Sequence, residues 1–367
     1  MSRLDYHAAG VDYDALDAFK RMCQQAGLAT RANLTELGLG EATAIRGESC
    51  YLMETADGYL AHVEEALGTK GLVADAMFRL TGRSFYRNVA IDNVSTIVND
   101  LSSSGAQPVS VEMYLAVGDA AYLADPTRAA DLAAGFAEGC KQAGAAWGGG
   151  ETQVLKNIVS PDAMVLGGSA VGRIAPKSRR IQGNVQPGDA IICLAGSGVQ
   201  TNGLTLCRAI VDRLPQGYLT PLSDGRPYGE ALLDASVIYS RFIADCQAAA
   251  IDLHYAVHIT GHGWRKLMRL DVPLVYRIDR LPKPQPVFEC ITKAAGLDAR
   301  DAYGTFNMGA GWAVYVAPGD VARVLACAKA GGYDAWQAGR VCEEAARKAV
   351  VLEPLGVEYE GDTLKIR

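Results

Sequence analysis

"NVAIDNVSTIVNDLSSSGAQP", residues 88–108, lays two patterns on one segment. Ile91, Val94, Val98 and Leu101 recur at helical spacing and form an apolar stripe. Gly105 and Pro108 end the run. Asp92 and Asn99 are seven residues apart, which at about 100° per residue puts them on one face, with Asp100 beside them. That face offers two carboxylates and an amide, a set suited to a hard cation with oxygen ligands. A solvated helix face is the other reading of the same pattern.

Outward from this helix the chain alternates. Residues 109–119, "VSVEMYLAVGD", read as a strand, 127–145 as a helix and 162–174, "DAMVLGGSAVGRI", as another strand. Upstream, "CYLMETADGYLAHVE" (50–64) reads as two β segments around Asp57-Gly58, a hairpin signal. Before that, "YHAAGVDYDALDAFKRMCQQAG" (6–27) turns into an amphipathic helix. Residues 175–189, "APKSRRIQGNVQPGD", are polar, basic and broken by Pro and Gly, and read as a domain boundary. The second half repeats the alternation. Strands are expected at 189–195, 273–279, 311–318 and 335–341, and helices at 202–214, 229–250, 286–296 and 319–332. Two α/β (or α+β) halves follow, 1–174 and 175–367.

The bulk numbers agree with a globular enzyme-sized chain. It has 367 residues, about two domains at roughly 150 residues each. Hydrophobic residues make up 49% and charged residues 21%, a globular rather than disordered balance. A net charge of −6 and a pI near 5.5 argue against a general nucleic-acid binder. They leave room for a local basic pocket that takes a phosphorylated metabolite. The opening residues lack an apolar signal core, and no run of about 18 apolar residues occurs, so neither a secretory signal nor a membrane span is expected. Nine scattered cysteines without a C-x-x-C pair fit reduced thiols in the cytoplasm and speak against a cysteine-bound metal centre.

Several short motifs carry possible chemistry. "EALGTK" (65–70) sets a carboxylate before a Gly-Thr-Lys turn, where lysine could neutralise phosphate; it lacks the spacing of a P-loop, and taken alone it reads first as an ordinary strand-end turn. "GGGETQ" (148–153) could turn backbone N–H groups toward an anion while Glu151 holds its metal, or be a tight structural turn. "AGSGVQTNG" (195–203) feeds a helix whose start could receive a phosphate. His254, His258 and His262 cluster, but "HITGHGW" has two glycines and no H-E-x-x-H pattern, so a zinc-binding helical pair is not expected. A loop with His258 hydrogen-bonded, to substrate or to its own fold, is.

In this order the motifs resemble the aminoimidazole ribonucleotide synthetase family, the phosphoribosylformylglycinamidine cyclo-ligases or PurM proteins. "YHAAGVD" is similar to Y-x-x-A-G-V-D, "EALGTK" to D-G-V-G-T-K and "GGGETQ" to G-G-E-T-A. "AIDNVSTIVNDLSSSGAQP" is similar to G-I-D-x-V-x-x-x-V-N-D-x-x-x-x-G-A-x-P. "LAGSGVQTNGLTL" resembles L-A-S-S-G-x-H-S-N-G-x-S-L, while "HITGHGW" and "GTFNMGAGW" resemble H-I-T-G-G-G and T-F-N-M-G-x-G. The resemblance implies a two-domain PurM-like fold whose N-terminal domain pairs its sheet across a homodimer. It implies cyclisation of formylglycinamidine ribonucleotide with ATP and Mg²⁺, through a phosphorylated imidate. Lys70, Asp100 and His258 are then the catalytic candidates. Gly68, Thr69, Lys70, Asn99, Gly149, Gly150, Glu151 and Thr152 would hold ATP. Gln200, Asn202, His258 and Asn307 would contact substrate, and Glu65, Asp92, Asp100 and Glu151 are the metal candidates. Lys70, Asp100 and Glu151 are expected to converge on one triphosphate–cation unit.

The chain also departs from the family's pattern. Glu65-Ala66 replaces D-G, Gln200 replaces the His before S-N-G, and "QVLKNIV" follows G-G-E-T in place of A-E-M-P. Another ATP-using member of the superfamily, or a nucleotide-binding paralogue without activity, are the alternatives these departures raise.

Overall fold

The helix read from residues 88–108 forms over Tyr86–Ser102, and it is buried all round: every residue from Val89 to Ser102 is inside. In this computed structural model, which describes residues 13–364, the helix has the first sheet on its apolar side and the second domain on its polar side. The "YHAAGVD" motif lies outside the described residues.

Among the described residues thirteen strands make two sheets. The first contains β1 (Gly40–Glu41), β2 (Tyr51–Glu54), β3 (Tyr59–Ala66), β4 (Gln107–Val117), β5 (Ala146–Val154) and β6 (Met164–Ile174), ordered β1-β2-β3-β6-β4-β5. Only β4 and β5 pair in parallel. The second contains β7 (Ala190–Ala195), β8 (Tyr255–His258), β9 (Val275–Ile278), β10 (Ala310–Val316), β11 (Ala335–Cys342), β12 (Ala349–Leu352) and β13 (Val357–Glu360). Its order is β13-β12-β9-β11-β7-β10-β8. The first sheet ends at Ile174 and the second begins at Ala190, on either side of the polar stretch 175–189. The hairpin β12–β13 was not expected from the sequence, although "AVVLEPLGVEYE" (349–360) carries apolar runs around a Pro-Leu-Gly turn with Gly356 at φ 59.

The helices are α1 (Tyr13–Leu28), α2 (Asn33–Glu36), α3 (Lys70–Thr81), α4 (Tyr86–Ser102), α5 (Pro126–Ala143) and α6 (Leu204–Ala209), then α7 (Tyr228–Ala231), α8 (Ser240–Ala248), α9 (Pro286–Ala295), α10 (Ala299–Thr305) and α11 (Val321–Ala330). α4 lies close on β6 because Gly168 and Gly172 leave room for Ile97 and Leu101. Among the described residues no helix covers the other face of this sheet. Along β6, Leu166, Ala170 and Gly172 are buried while Val165, Val171 and Arg173 are exposed, the alternation of a strand covered on one side.

The helix expected over 229–250 is interrupted: α7 stops at Ala231 and α8 starts at Ser240. The reason lies across the seam. Asn88 Nδ2 donates to Leu233 O, Ser95 Oγ to Val237 O and Asn99 Nδ2 to Val237 O, and Asn99 Oδ1 accepts from Tyr239 N. Asp92 Oδ1 accepts from both Ser236 N and Ser236 Oγ. Side chains of α4 thus take backbone groups that a continuous helix would have paired internally. The polar face of α4 is the seat of the second domain.

Candidate functional site

Asp100, near the end of α4, meets His258, the last residue of β8: Asp100 Oδ1 and His258 Nδ1 are 2.7 Å apart, both residues buried. Burial pushes the Asp100 carboxyl up, but the His258 hydrogen bond and the nearby His258, Lys266 and Arg269 charges outweigh it, so its pKa lies below the usual carboxylate value. Burial pushes the His258 pKa down despite Asp100. The pair is therefore an ionised carboxylate accepting a hydrogen bond from the imidazole, with Nδ1 carrying the proton. Trp312, paired with His258 across β8 and β10, sets its ring 5.8 Å away and fixes the imidazole plane. Lys266, on the turn after β8, bonds Thr260 Oγ1 and lies 3.4 Å from His258 O. Burial lowers its pKa to about 8.

Asp100 opens onto a cavity of about 330 Å³ at the seam of the domains. Glu65 from the end of β3 and Asn202 join it on one side. Lys266, Arg269, Lys20 and Arg21 bring positive charge, and His262, Thr260 and the Gly47–Ser49 loop complete the wall. Glu65 is raised to about 7, first by burial and then by the Asp100 charge. Arg269 is anchored by Ser49 Oγ and Gly47 O, each 2.8 Å away. Sequence reasoning missed Lys266, Arg269 and His262. Their signal was a Gly-His-Gly turn followed at once by cations, "GHGWRKLMR".

Other expected site residues stand elsewhere. Lys70 is fully buried at the start of α3; its Nζ pairs with Asp92 Oδ2 at 2.5 Å and donates to Gln200 O at 3.1 Å and Asp234 O at 3.0 Å. All three ammonium donors have partners, so neither Lys70 nor Asp92 is aimed at the cavity. Asn99 is held by Ser95, Val237 and Tyr239. Gln200 is buried, with its amide 3.4 Å from Tyr239 Oη. Asn307 ties Gly198 O to Gly309 N, pinning one site loop to another. Gly68, at φ 71, and Thr69, whose buried hydroxyl oxygen has no protein partner, form the turn between Glu65 and α3.

The glycine run is not a phosphate-cradling turn within this chain: Gly149, Gly150, Glu151 and Thr152 belong to β5, an exposed edge strand. A Cβ on Gly148 would lie 2.2 Å from Glu112 Oε1, and one on Gly150 would lie 2.0 Å from Met113 O. The glycines let β5 close on β4. The expected convergence of Lys70, Asp100 and Glu151 on one unit does not occur in the single chain, because one is sealed in the seam, one faces the cavity and one lies on the sheet edge.

The same holds for the four expected metal ligands. Among the described residues no group of three or more His, Cys, Asp or Glu side chains is placed to hold a metal ion. Glu65 and Asp100 alone share the cavity. Two carboxylates fit Mg²⁺, which takes one or two from protein and the rest from water and phosphate oxygens. The Asp100 charge that helps keep the Glu65 proton in place is what a divalent cation would offset.

Two family models cover most of the chain: the AIR synthase related protein N-terminal domain over residues 48–174 and its C-terminal domain over 186–351. The phosphoribosylformylglycinamidine cyclo-ligase of Methanothermobacter thermautotrophicus is 35% identical over 284 residues, 76% of this chain and 79% of that protein. The enzyme of the same name from Pyrococcus furiosus is 31% identical over 359 residues, 97% of this chain and 99% of its own. Among solved structures, the hydrogenase maturation protein HypE in complex with ATP superposes with a TM-score of 0.58 at 19% identity, covering 83% of this chain and 85% of that one. That likeness speaks for a shared two-domain fold. With both halves matched and these identities across nearly its whole length, the chain belongs to the AIR synthase related family.

Proposed function

We propose that the protein cyclises formylglycinamidine ribonucleotide to aminoimidazole ribonucleotide, with ATP converted to ADP and phosphate. The observation that supports this most is the seam cavity, lined by Asp100 and Glu65 together with Lys266, Arg269, Lys20 and Arg21, with His258 bonded to Asp100 behind it. It occurs in a chain whose relatives carry the name of that reaction over nearly their full length. In the proposed reaction the γ-phosphoryl group passes to the formyl oxygen and ADP leaves. An amidine nitrogen then attacks the formyl carbon, and phosphate departs with that oxygen. Such chemistry asks the protein mainly for positioning and charge neutralisation.

Asp100 and His258 supply an ionised acceptor backed by an oriented imidazole, and Asn202 is assigned to the substrate. Gly68 and Thr69, in the turn after Glu65, are assigned to the nucleotide. Glu65 and Asp100 would hold Mg²⁺, which would offset phosphate charge. Lys70, Asp92, Asn99, Gln200 and Asn307 are assigned to fixing the seam around the cavity. The helix-free face of the first sheet is assigned to a homodimer, with Gly149, Gly150, Glu151 and Thr152 on its edge strand. The assigned compartment is the cytoplasm, in keeping with nine cysteines that are all unpaired thiols.

Purified protein mixed with ATP, Mg²⁺ and formylglycinamidine ribonucleotide is expected to release ADP and the aminoimidazole product in equal amounts. ADP release without that product would point to another small substrate, a reading that Gln200 at the histidine position of the resembled motif favours. Absence of both turnover and nucleotide binding would sink the enzymatic reading.

A further inference from the structure

Among the described residues, three of the seven non-glycine residues at positive φ lie in loops around the site: Gln200 at φ 58, His262 at φ 71 and Met308 at φ 47. Of these, only His262 lines the cavity. It has ψ 0 and caps the short turn Gly263–Met268. This left-handed conformation suits glycine and costs a residue with a Cβ some strain, least for Asn, Asp and His. The neighbouring Gly263, at φ 53, obeys that demand, since a Cβ there would lie 2.2 Å from Tyr303 O. The resembled motif H-I-T-G-G-G has glycine at both places. This chain instead keeps an imidazole at 262, half-buried in the cavity wall, against the preference of its own backbone. A non-glycine residue held in this conformation at a cavity wall points to a role for its side chain there.

What it acts on follows from its company. Lys266, Arg269, Lys20 and Arg21 line the same cavity and make it attractive to an anion. Gln200 stands where the resembled motif has histidine, yet it is buried with its amide toward Tyr239 Oη and does not reach the cavity. The imidazole missing from that loop is present in this one. We propose that His262 is a substrate-contacting, specificity-determining residue that donates a hydrogen bond to the phosphate monoester of the substrate. The identity of the whole substrate rests on the function proposed above; the phosphate contact does not.

His262→Gly separates the two roles of the residue, because it relieves the backbone while removing the imidazole. The Tm is expected to rise by a few degrees. The KM for formylglycinamidine ribonucleotide is expected to rise ~10-fold or more, with the KM for ATP unchanged. His262→Asn, which tolerates the left-handed conformation and keeps a donor, should recover part of the affinity. Calorimetric titration with ribose 5-phosphate, and with ribose as its phosphate-free control, reads the contact without turnover. Wild type should bind the phosphate ester and His262→Gly should bind it ~10-fold more weakly. Turnover of the ribonucleotide with an unchanged KM in His262→Gly would overturn the inference and leave the proposed function standing. Weakened ribose 5-phosphate binding in a protein that does not turn the ribonucleotide over would do the reverse. Equal binding of ribose and ribose 5-phosphate by wild type would also overturn the inference.

Discussion

Removing Lys70 strands a carboxylate. Asp92 is fully buried, and its counter-charge is the Lys70 ammonium at 2.5 Å. Lys70→Ala should therefore destabilise the fold by about 3–5 kcal/mol in urea unfolding, the usual result of breaking a buried pair from one side. Lys70→Met combined with Asp92→Leu should recover only part, because Ser236 N and the carbonyls of Gln200 and Asp234 would lose their partners. The exposed pair of Arg340 and Asp279 is the control: Arg340→Ala should leave unfolding unchanged. Asp100 makes the opposite prediction. Asp100→Asn keeps shape but removes the charge that faces both His258 and the cavity, so turnover should fall at least ~10²-fold in a steady-state assay with little loss of stability. Sequence spacing could place Asp92, Asn99 and Asp100 near one another on a helix. It could not separate the carboxylate that faces a cavity from the one that faces a lysine 22 residues earlier, because that choice is made by the second domain.

Whole elements were legible where one periodicity governs. α4, α5, α9 and α11 follow their apolar spacing, and β2–β3 form the hairpin that Asp57-Gly58 announced, with Glu54 opposite Tyr59. Elements failed to match where a partner overrides local preference. "GGGETQV" has turn composition yet forms β5, since its missing side chains suit a strand pressed on Glu112 and Met113. Residues 229–250 have helical periodicity yet break, since α4 takes the backbone groups of 233–239. This second case is testable at the level of the element. Asn99→Ala leaves Tyr239 N and one bond to Val237 O unmade, at about 1–3 kcal/mol for a buried unsatisfied group. Hydrogen exchange should then quicken at residues 236–239, while α5, which touches neither group, keeps its protection. Uniform loss of protection through both domains would mean that Asn99 supports the whole fold and not this seam.

At the scale of the molecule, the two-half organisation showed in the polar stretch 175–189, but the way one half sits on the other did not, because many of its contacts run from side chains of α4 to backbone groups of 233–239 and leave no compositional trace. What covers the far side of the first sheet is likewise absent from any local pattern. Val165 and Val171 are 41% and 43% exposed on β6, and β3 sets Leu60 and His62 opposite Arg173 and Val171. An antiparallel sheet can leave one face in water, but then its outward positions are polar. Here Val165 and Val171 stand outward on β6, near the middle of a six-stranded sheet, with Leu60 on the neighbouring β3, and exposed apolar side chains at the centre of a sheet face point to another surface meeting it. A second copy is the partner in our reading, and a two-fold contact of this kind is expected to bury roughly 1,600 Å² or more in total. Sedimentation at micromolar concentration should give a dimer. Val171→Glu places a charge where the chain alone already exposes the side chain, so Tm of the isolated fold should change little. The same charge placed twice about a two-fold axis repels itself and loses hydration, so the dimer should dissociate. A wild-type monomer, or a Val171→Glu variant that remains dimeric, would remove this face from the assembly.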